Sequence, residues 1–177
     1  MEQADLIARL IATQDIDAFG VLVRKHQSAV RGFLARLARG DGALADDLAQ
    51  ETFLEALRKL HQFRGDGPFR GWLLRIAWSR FLMEARRRKF LAEPDEDSVG
   101  SAGGELAAAA KLDLERAMAR LSASERAALT LHFALGYSHE ETASIMDVPL
   151  GTAKSHVLRG RERLKALLEG WSERSTP

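Results

Sequence analysis

The sequence predicts an all-α protein of two small helical modules joined by a flexible acidic linker. On both sides of the linker, apolar residues recur at three-to-four spacing, which is the period of an amphipathic helix. Strand-like alternation is absent from the 177 residues. Residues 93–105 have one valine as their only sizeable apolar side chain, so they bury too little surface to offset the cost of ordering them. We therefore place the modules at residues 1–91 and 110–177 and the linker at residues 92–109.

The first module is predicted to contain four helices. Gly40 to Gly42 ends the second helix. A glycine- and proline-punctuated loop over residues 64–68 precedes the fourth. The predicted helices span residues 5–13, 15–39, 43–60 and 69–90.

The second module is also predicted to contain four helices. Two of them begin at capping boxes, Ser122 with Glu125 and Ser138 with Glu141, in which a hydroxyl and a carboxylate bind free backbone donors. Pro149 opens the last helix, where a missing N–H is tolerated. The predicted helices span residues 106–121, 123–135, 139–146 and 149–168.

The last two predicted helices follow the helix-turn-helix plan, which offers the second helix to a DNA major groove. The final helix has an apolar stripe and a basic remainder, with a net charge of +4 over residues 152–165. Cations near a helix C-terminus also complement the helix dipole, an alternative that fits Arg163 and Lys165 better than Lys154. The predicted groove-facing residues, suited to base edges and phosphates, are Thr152, Lys154, Ser155 and Arg159.

The helix predicted over residues 69–90 combines cations with aromatic residues. Its net charge is +6 over residues 70–89, and most aromatic residues of the chain lie between Phe53 and Phe90. This mixture suits single-stranded nucleic acid, because phosphates need cations and unpaired bases stack on flat rings. Trp78 and Phe63 fit a core role less clearly than the others do. The aromatics whose spacing favours a core role instead are Phe53, Phe69, Trp72 and Phe81.

A polar face on the helix over residues 43–60 carries Asp46, Asp47, Gln50 and Glu51. It is predicted to be either a solvated surface or a docking face for a basic partner helix. Taken together, the net charges of the first module, linker and second module are +5, −5 and +1. The chain is therefore basic, then acidic, then mixed, and this asymmetry needs an explanation.

The sequence motifs give little support for an enzymatic activity or a metal site. The segment from His139 to Thr142 begins like a zinc-protease helix, but Ala143 stands where the second histidine ligand is required. The other histidines are scattered, and no glycine-rich phosphate loop is present. We expect no catalysis, no cofactor and no metal. The absence of cysteine, of a basic signal-peptide start and of a membrane-spanning apolar run predicts a cytoplasmic protein.

Two groups of motifs resemble the extracytoplasmic function (ECF) sigma factors of the sigma-70 family. Residues 46–53, 69–77 and 86–88 are similar to region 2 of that family. The segments similar to region 4 are residues 121–126, 136–143, 148–156 and 161–164. Four positions differ from the family pattern: Trp78 and Ser79 replace its Arg-Asn pair, Met83 replaces an acid, and Asp147 replaces the glycine of the turn.

The resemblance implies a transcription initiation factor with assigned surfaces. Core RNA polymerase would be bound, through the clamp helices of its β′ subunit, by the acidic face. The −35 promoter element would be read by the groove-facing residues of the last helix. An anti-sigma factor is an implied further partner. Unpaired bases and phosphates of the −10 element would be held by Phe63, Phe69, Trp72, Arg75, Trp78, Ser79, Arg80, Arg86, Arg87 and Arg88.

Two other functions remain open from the sequence. A sigma-like decoy would sequester an anti-sigma factor without binding polymerase. A plain helix-turn-helix repressor would bind DNA alone, but it would leave residues 1–90 unexplained. Direct binding to core polymerase separates both from a sigma factor.

Overall fold

The computed structural model describes Ile7 and residues 16–65, 67–91 and 106–172. Every regular element in these ranges is helical, which confirms the all-α prediction. Apart from Ile7, the helix predicted over residues 5–13 lies outside the described residues. None of the described helices is both long and apolar enough to cross a membrane. The α-helices are α1 (Ile16–Leu37), α2 (Gly42–Lys59), α3 (Phe69–Leu91), α4 (Leu106–Ala119), α5 (Ala123–Leu129), α6 (His139–Met146) and α7 (Leu150–Ser172).

The first module is a bundle of α1, α2 and α3 around a closed apolar core. The predicted stop between α1 and α2 is confirmed, because Gly40 has a positive φ of 85° and Asp41 caps the next helix. The Asp41 carboxylate accepts a hydrogen bond from the Leu44 amide at 3.0 Å. The fully buried large side chains of this module are Leu22, Val30, Phe33, Leu34, Leu37, Thr52, Phe69, Leu73 and Leu74.

The second module confirms both predicted capping boxes. The Ser122 hydroxyl accepts from the Glu125 amide at 3.2 Å, and the Glu125 carboxylate accepts from the Ser122 amide at 3.0 Å. Ser138 and Glu141 repeat the arrangement at the start of α6, at 3.1 and 2.8 Å. Each box satisfies two backbone donors that a helix start leaves free, so the starts of α5 and α6 are fixed by local chemistry.

The turn between α6 and α7 depends on a left-handed residue. Asp147 has φ 56° and ψ 48°, a conformation that aspartate adopts more readily than most residues. The Val148 amide donates to the Ala143 carbonyl at 3.1 Å, which closes the end of α6. The helix α7 begins at Leu150, one residue later than predicted, and the Pro149 carbonyl accepts from its first turn.

The helix predicted over residues 123–135 changes character after Leu129. Thr130–Ala134 forms a π-helical turn, in which each amide reaches one residue further back than in an α-helix. The imidazole Nδ1–H of His132 donates to the Tyr137 carbonyl at 2.8 Å and so ties the end of this turn. Sequence periodicity cannot detect a π-turn, because the apolar pattern continues through it.

The two modules pack against each other through α3 and α6, and through α1 and α5. Ile145 and Met146 of α6 are buried, as is Ile76 of α3. Gly71 lies at this contact, where a Cβ would come within 3.9 Å of both Ile145 and Tyr137. Together with the two module cores, this contact makes one continuous apolar cluster.

Gly160 is predicted to be intolerant of alanine, because a Cβ there would lie 3.1 Å from Leu129 and 3.3 Å from Glu125, both buried. We expect Gly160→Ala to destabilise the protein by about 1 kcal/mol, since overpacking exceeds the gain in helix propensity. Gly20→Ala is the matched control, because only the flexible end of Arg24 lies near its Cβ. It should raise stability by about 0.5–1 kcal/mol. Urea unfolding followed by circular dichroism measures both, and equal effects would contradict the packing argument.

Candidate nucleic-acid interface

The N-terminal half of α7 presents the predicted groove-facing residues on one accessible side. Lys154, Ser155 and Arg159 are exposed and Thr152 is partly buried, whereas the stripe containing Ala153 is buried beneath them. The Ser155 hydroxyl donates to the carbonyl one turn earlier at 2.8 Å. The face therefore offers two cations and two hydroxyls on a helix whose other side is fixed in the core, an arrangement suited to a DNA groove.

The later part of α7 contributes to the fold as well. The Arg163 guanidinium donates to the carboxylate of Glu125 at 3.2 Å and joins α7 to α5. Burial raises the pKa of Glu125, but hydrogen bonds from Ser122 and the charge of Arg163 outweigh it, so the pKa lies below its usual value. Arg163 therefore acts as a structural tie between α7 and α5, a contact that neither interpretation of the basic run predicted.

The acidic face on α2 divides into two parts. Asp47, Gln50 and Glu51 are exposed. Asp46 instead turns towards α1, where its carboxylate accepts hydrogen bonds from Arg31, and this ion pair lowers the pKa of Asp46. Of the four predicted polymerase-facing side chains, Asp47 and Gln50 are thus exposed, Glu51 is exposed but lies 3.9 Å from the guanidinium of Arg80, and Asp46 is used between helices.

Two leucines next to the acidic face are exposed. Leu54 is 56% exposed and Leu57 is 38% exposed, one and two turns beyond Gln50 on α2. Ala56, which lies between them in the chain, is fully buried. Because apolar residues of an amphipathic helix recur at spacings of three or four, the sequence is compatible with either Ala56 or Leu57 in the core, and tertiary packing decides between them.

Most predicted phosphate-binding arginines on α3 already have carboxylate partners. Arg80 binds Glu55, while Arg87 and Arg88 both bind Glu84 at 2.7–2.9 Å. Hydrogen bonds from these two arginines lower the pKa of Glu84 to about 2. The side chain of Arg86 is exposed and has no ion-pair partner among the described residues.

The aromatic residues at the start of α3 and in the loop before it form a cluster. Phe63, Phe69 and Trp72 lie with ring centroids 5.2–5.4 Å apart. Phe69 is buried, which agrees with its alternative assignment to the core, while Phe63 and Trp72 are partly exposed. The cluster presents two accessible rings, which is the kind of surface on which unpaired bases stack.

Trp78 is buried at the contact between the modules, so the expectation that it fits a core role less clearly is wrong. Its ring stacks on Phe81 at 5.9 Å, and its indole N–H donates to the Met146 carbonyl at 3.1 Å. Beside it, Arg75 binds Asp147 at 2.7 Å. Trp78 and Asp147, two of the positions that differ from the family pattern, thus lie at one contact. Ser79 is exposed next to it.

Comparison with known proteins covers both modules. The chain matches the model of sigma-70 region 2 over residues 22–90 and that of sigma-70 region 4 over residues 111–164. It is 34% identical to the RNA polymerase sigma-H factor of Pseudomonas aeruginosa, with 95% of each chain covered. It is also 34% identical to the ECF RNA polymerase sigma-E factor of Escherichia coli K12, with 85% of this chain and 86% of that protein covered.

Two solved structures share the fold. The sigma factor RpoE of Bartonella quintana, in complex with the anti-sigma factor NepR, is 30% identical with a TM-score of 0.72, covering 85% of this chain and 96% of that one. CnrH in complex with the cytosolic domain of CnrY is 26% identical with a TM-score of 0.69, covering 93% of this chain and 96% of that one.

Trp78→Phe is predicted to loosen the contact between the modules, because phenylalanine keeps one aromatic ring but is smaller than indole and leaves the Met146 carbonyl without its donor. The contact should lose about 1–3 kcal/mol of stabilisation from the missing hydrogen bond. The chain has no cysteine, so a pair of dyes can be attached at cysteines introduced in place of Gln62, in the first module, and Glu169, in the second. Fluorescence resonance energy transfer between the dyes then reports the distance between the modules. Transfer should fall in Trp78→Phe. It should stay unchanged in Trp72→Phe, the matched control within the first module, and equal transfer in both would contradict the role of the hydrogen bond.

Proposed function

The chain belongs to the sigma-70 family as an ECF sigma factor, a non-enzymatic transcription initiation factor, and we propose how its two modules divide promoter recognition. The first module binds core RNA polymerase and the −10 element, and the second binds the −35 element. The observation that carries this proposal is the exposed cationic face of α7, held on a helix-turn-helix whose opposite face is buried. Tethering makes the second DNA contact intramolecular, which raises affinity without new contacts.

Core polymerase is bound by the exposed part of the acidic face. Asp47, Gln50 and Glu51 lie within two turns of α2 and face solvent, as a docking face for basic helices requires. The neighbouring Leu54 adds apolar area at the same surface. Asp46 contributes indirectly, because its ion pair with Arg31 fixes α2 against α1.

The −10 element is bound by the aromatic cluster at the start of α3 and by the arginines of that helix. Phe63 and Trp72 offer rings for unpaired bases, and Arg86 offers a cation without a carboxylate partner in the described chain. Arg87 and Arg88 bind phosphate by exchanging it for the Glu84 carboxylate. Unpaired bases that stack on Phe63 and Trp72 lower the free-energy cost of opening the duplex.

Contact of Trp78 or Arg75 with DNA requires α6 to leave α3. In the arrangement of this structure, Trp78 is only 4% exposed and Arg75 is paired with Asp147. Separation of the modules exposes Trp78 and frees Arg75, next to Ser79, which is already exposed. It also allows the two modules to reach promoter elements that are far apart on the duplex.

Control by an anti-sigma factor is proposed because two relatives were solved in complex with such proteins. The decoy alternative shares this partner. The exposed Lys154 and Arg159 favour a sigma factor over a decoy, since a decoy has no need of a DNA-binding face. We place the protein in the cytoplasm, where it meets polymerase.

Simultaneous replacement of Asp47 and Gln50 by alanine is predicted to weaken binding to core polymerase at least about 10-fold, which corresponds to about 1.4 kcal/mol. Both side chains are exposed, so the fold should survive. Pull-down with core polymerase measures the binding, and circular dichroism checks the fold. Gln27→Ala, an exposed polar residue on α1, is the matched control. Undiminished binding by the double variant would remove the acidic face from the interface.

Lys154→Ala and Arg159→Ala are each predicted to weaken holoenzyme binding to promoter DNA by about 1–3 kcal/mol. Fluorescence anisotropy with labelled promoter DNA at two salt concentrations also gives the salt dependence, which should become less steep if a phosphate contact is lost. Arg120→Ala, an exposed cation after α4, is the control. If the control and the α7 variants lose affinity equally, the charge of the module and not the groove contact explains binding.

A further inference from the structure

A cavity of about 540 Å³ lies where α1 and α3 meet the second module. It is separate from the acidic face on α2 and from the cationic face of α7. Its volume falls within the range of small-molecule sites. The residues that line it are Lys25, His26, Ser28, Ala29, Gly32, Arg36, Arg70 and Leu135.

The α1 wall of the cavity is a trough of small residues with a cation at each end. Ser28, Ala29 and Gly32 lie on one helical face, and their small side chains let a ligand approach the backbone. Lys25 and Arg36 stand at the two ends of this stripe, about 16 Å apart along the helix axis. Arg36 donates to the Gly32 carbonyl at 3.0 Å and so extends along the trough.

Two residues that line the cavity each contain a buried nitrogen without a hydrogen-bond partner. These are the Nε2 of His26, which is 6% exposed, and the Nε of Arg70, a partly buried residue. Burial and the charges of Lys25 and Arg70 lower the pKa of His26, so its imidazole is neutral at pH 7. An Arg Nε–H, or an imidazole nitrogen in its N–H tautomer, costs about 1–3 kcal/mol when it is buried without an acceptor, so small shifts of these side chains towards an acceptor ligand are favourable.

The cavity is cationic and contains no carboxylate. Three cations line it, and within the described part of the chain none forms an ion pair. Four of the five other arginines of α3 differ, since Arg75, Arg80, Arg87 and Arg88 bind carboxylates. Arg70 instead lies over the Tyr137 ring, 5.7 Å from its centroid, which holds the guanidinium beside the cavity.

We propose that this cavity binds a small molecule carrying two or three linked phosphate groups. Linked phosphates supply several acceptors and a concentrated negative charge, which match the guanidinium of Arg70, the ammonium of Lys25 and the free nitrogen of His26. Ala29 and Leu135 provide apolar surface beside them. The site does not depend on the promoter contacts proposed above, so either proposal can fail alone.

Isothermal titration calorimetry of the full chain with tripolyphosphate at low salt tests this proposal. We expect one saturable site, and we expect Arg70→Gln to weaken binding at least 10-fold. Lys25→Gln, at an exposed position, gives a second variant that tests the site even if Arg70→Gln fails to fold. Arg24→Gln removes the same charge from the neighbouring residue of α1, outside the cavity lining, and should leave binding unchanged. No saturable binding, or an equal loss in Arg24→Gln, would overturn the proposal.

A competition arm separates a free ligand from the phosphates of DNA. A single-stranded oligonucleotide is titrated into the chain saturated with tripolyphosphate. We expect no displacement. If the oligonucleotide displaces tripolyphosphate and itself loses affinity in Lys25→Gln, the cavity belongs to the DNA path and the free-ligand proposal is overturned.

Discussion

The hydrogen bond from the Trp78 indole to the Met146 carbonyl sets the arrangement of the two modules. Met146 ends α6, so its carbonyl has no acceptor role within the helix and is available to a partner from α3. The indole lies against Phe81 and is almost fully buried, where a hydrogen bond gains strength from the low dielectric. The exposed ion pair of Arg75 and Asp147 contributes little to the stability of the contact, but it specifies which residues of α3 lie against the end of α6.

Charge is distributed over the surface so that some cations are neutralised and others are left available. Glu84 holds two arginines at the end of α3, and its depressed pKa keeps it ionised at any physiological pH. On α7, Arg163 is drawn into the fold by Glu125, while Lys154 and Arg159 stay exposed. A basic run in the sequence is therefore a mixture of cations that are paired within the fold and cations that stay exposed, and only the position of carboxylate neighbours distinguishes them.

Local signals predicted the elements well for physical reasons. Capping boxes act over three residues, so Ser122 and Ser138 mark helix starts without reference to the rest of the chain. The left-handed turn at Asp147 is equally local, since it depends on one backbone conformation. The exceptions are the π-turn after Leu129, which keeps the apolar pattern of an α-helix, and Leu57, which lies at the edge of the core stripe.

The sequence alone determined the helical class, most helix boundaries, the helix-turn-helix and the family, because each depends on periodicity, caps or motifs within short stretches. Tertiary structure alone decided that Trp78 is buried, that Asp46 forms an ion pair with Arg31, and that His26 and Arg70 line one cavity. Each of these contacts joins residues that are at least 15 positions apart and on different helices. Spacing along one helix carries no information about which side chain of another helix it meets.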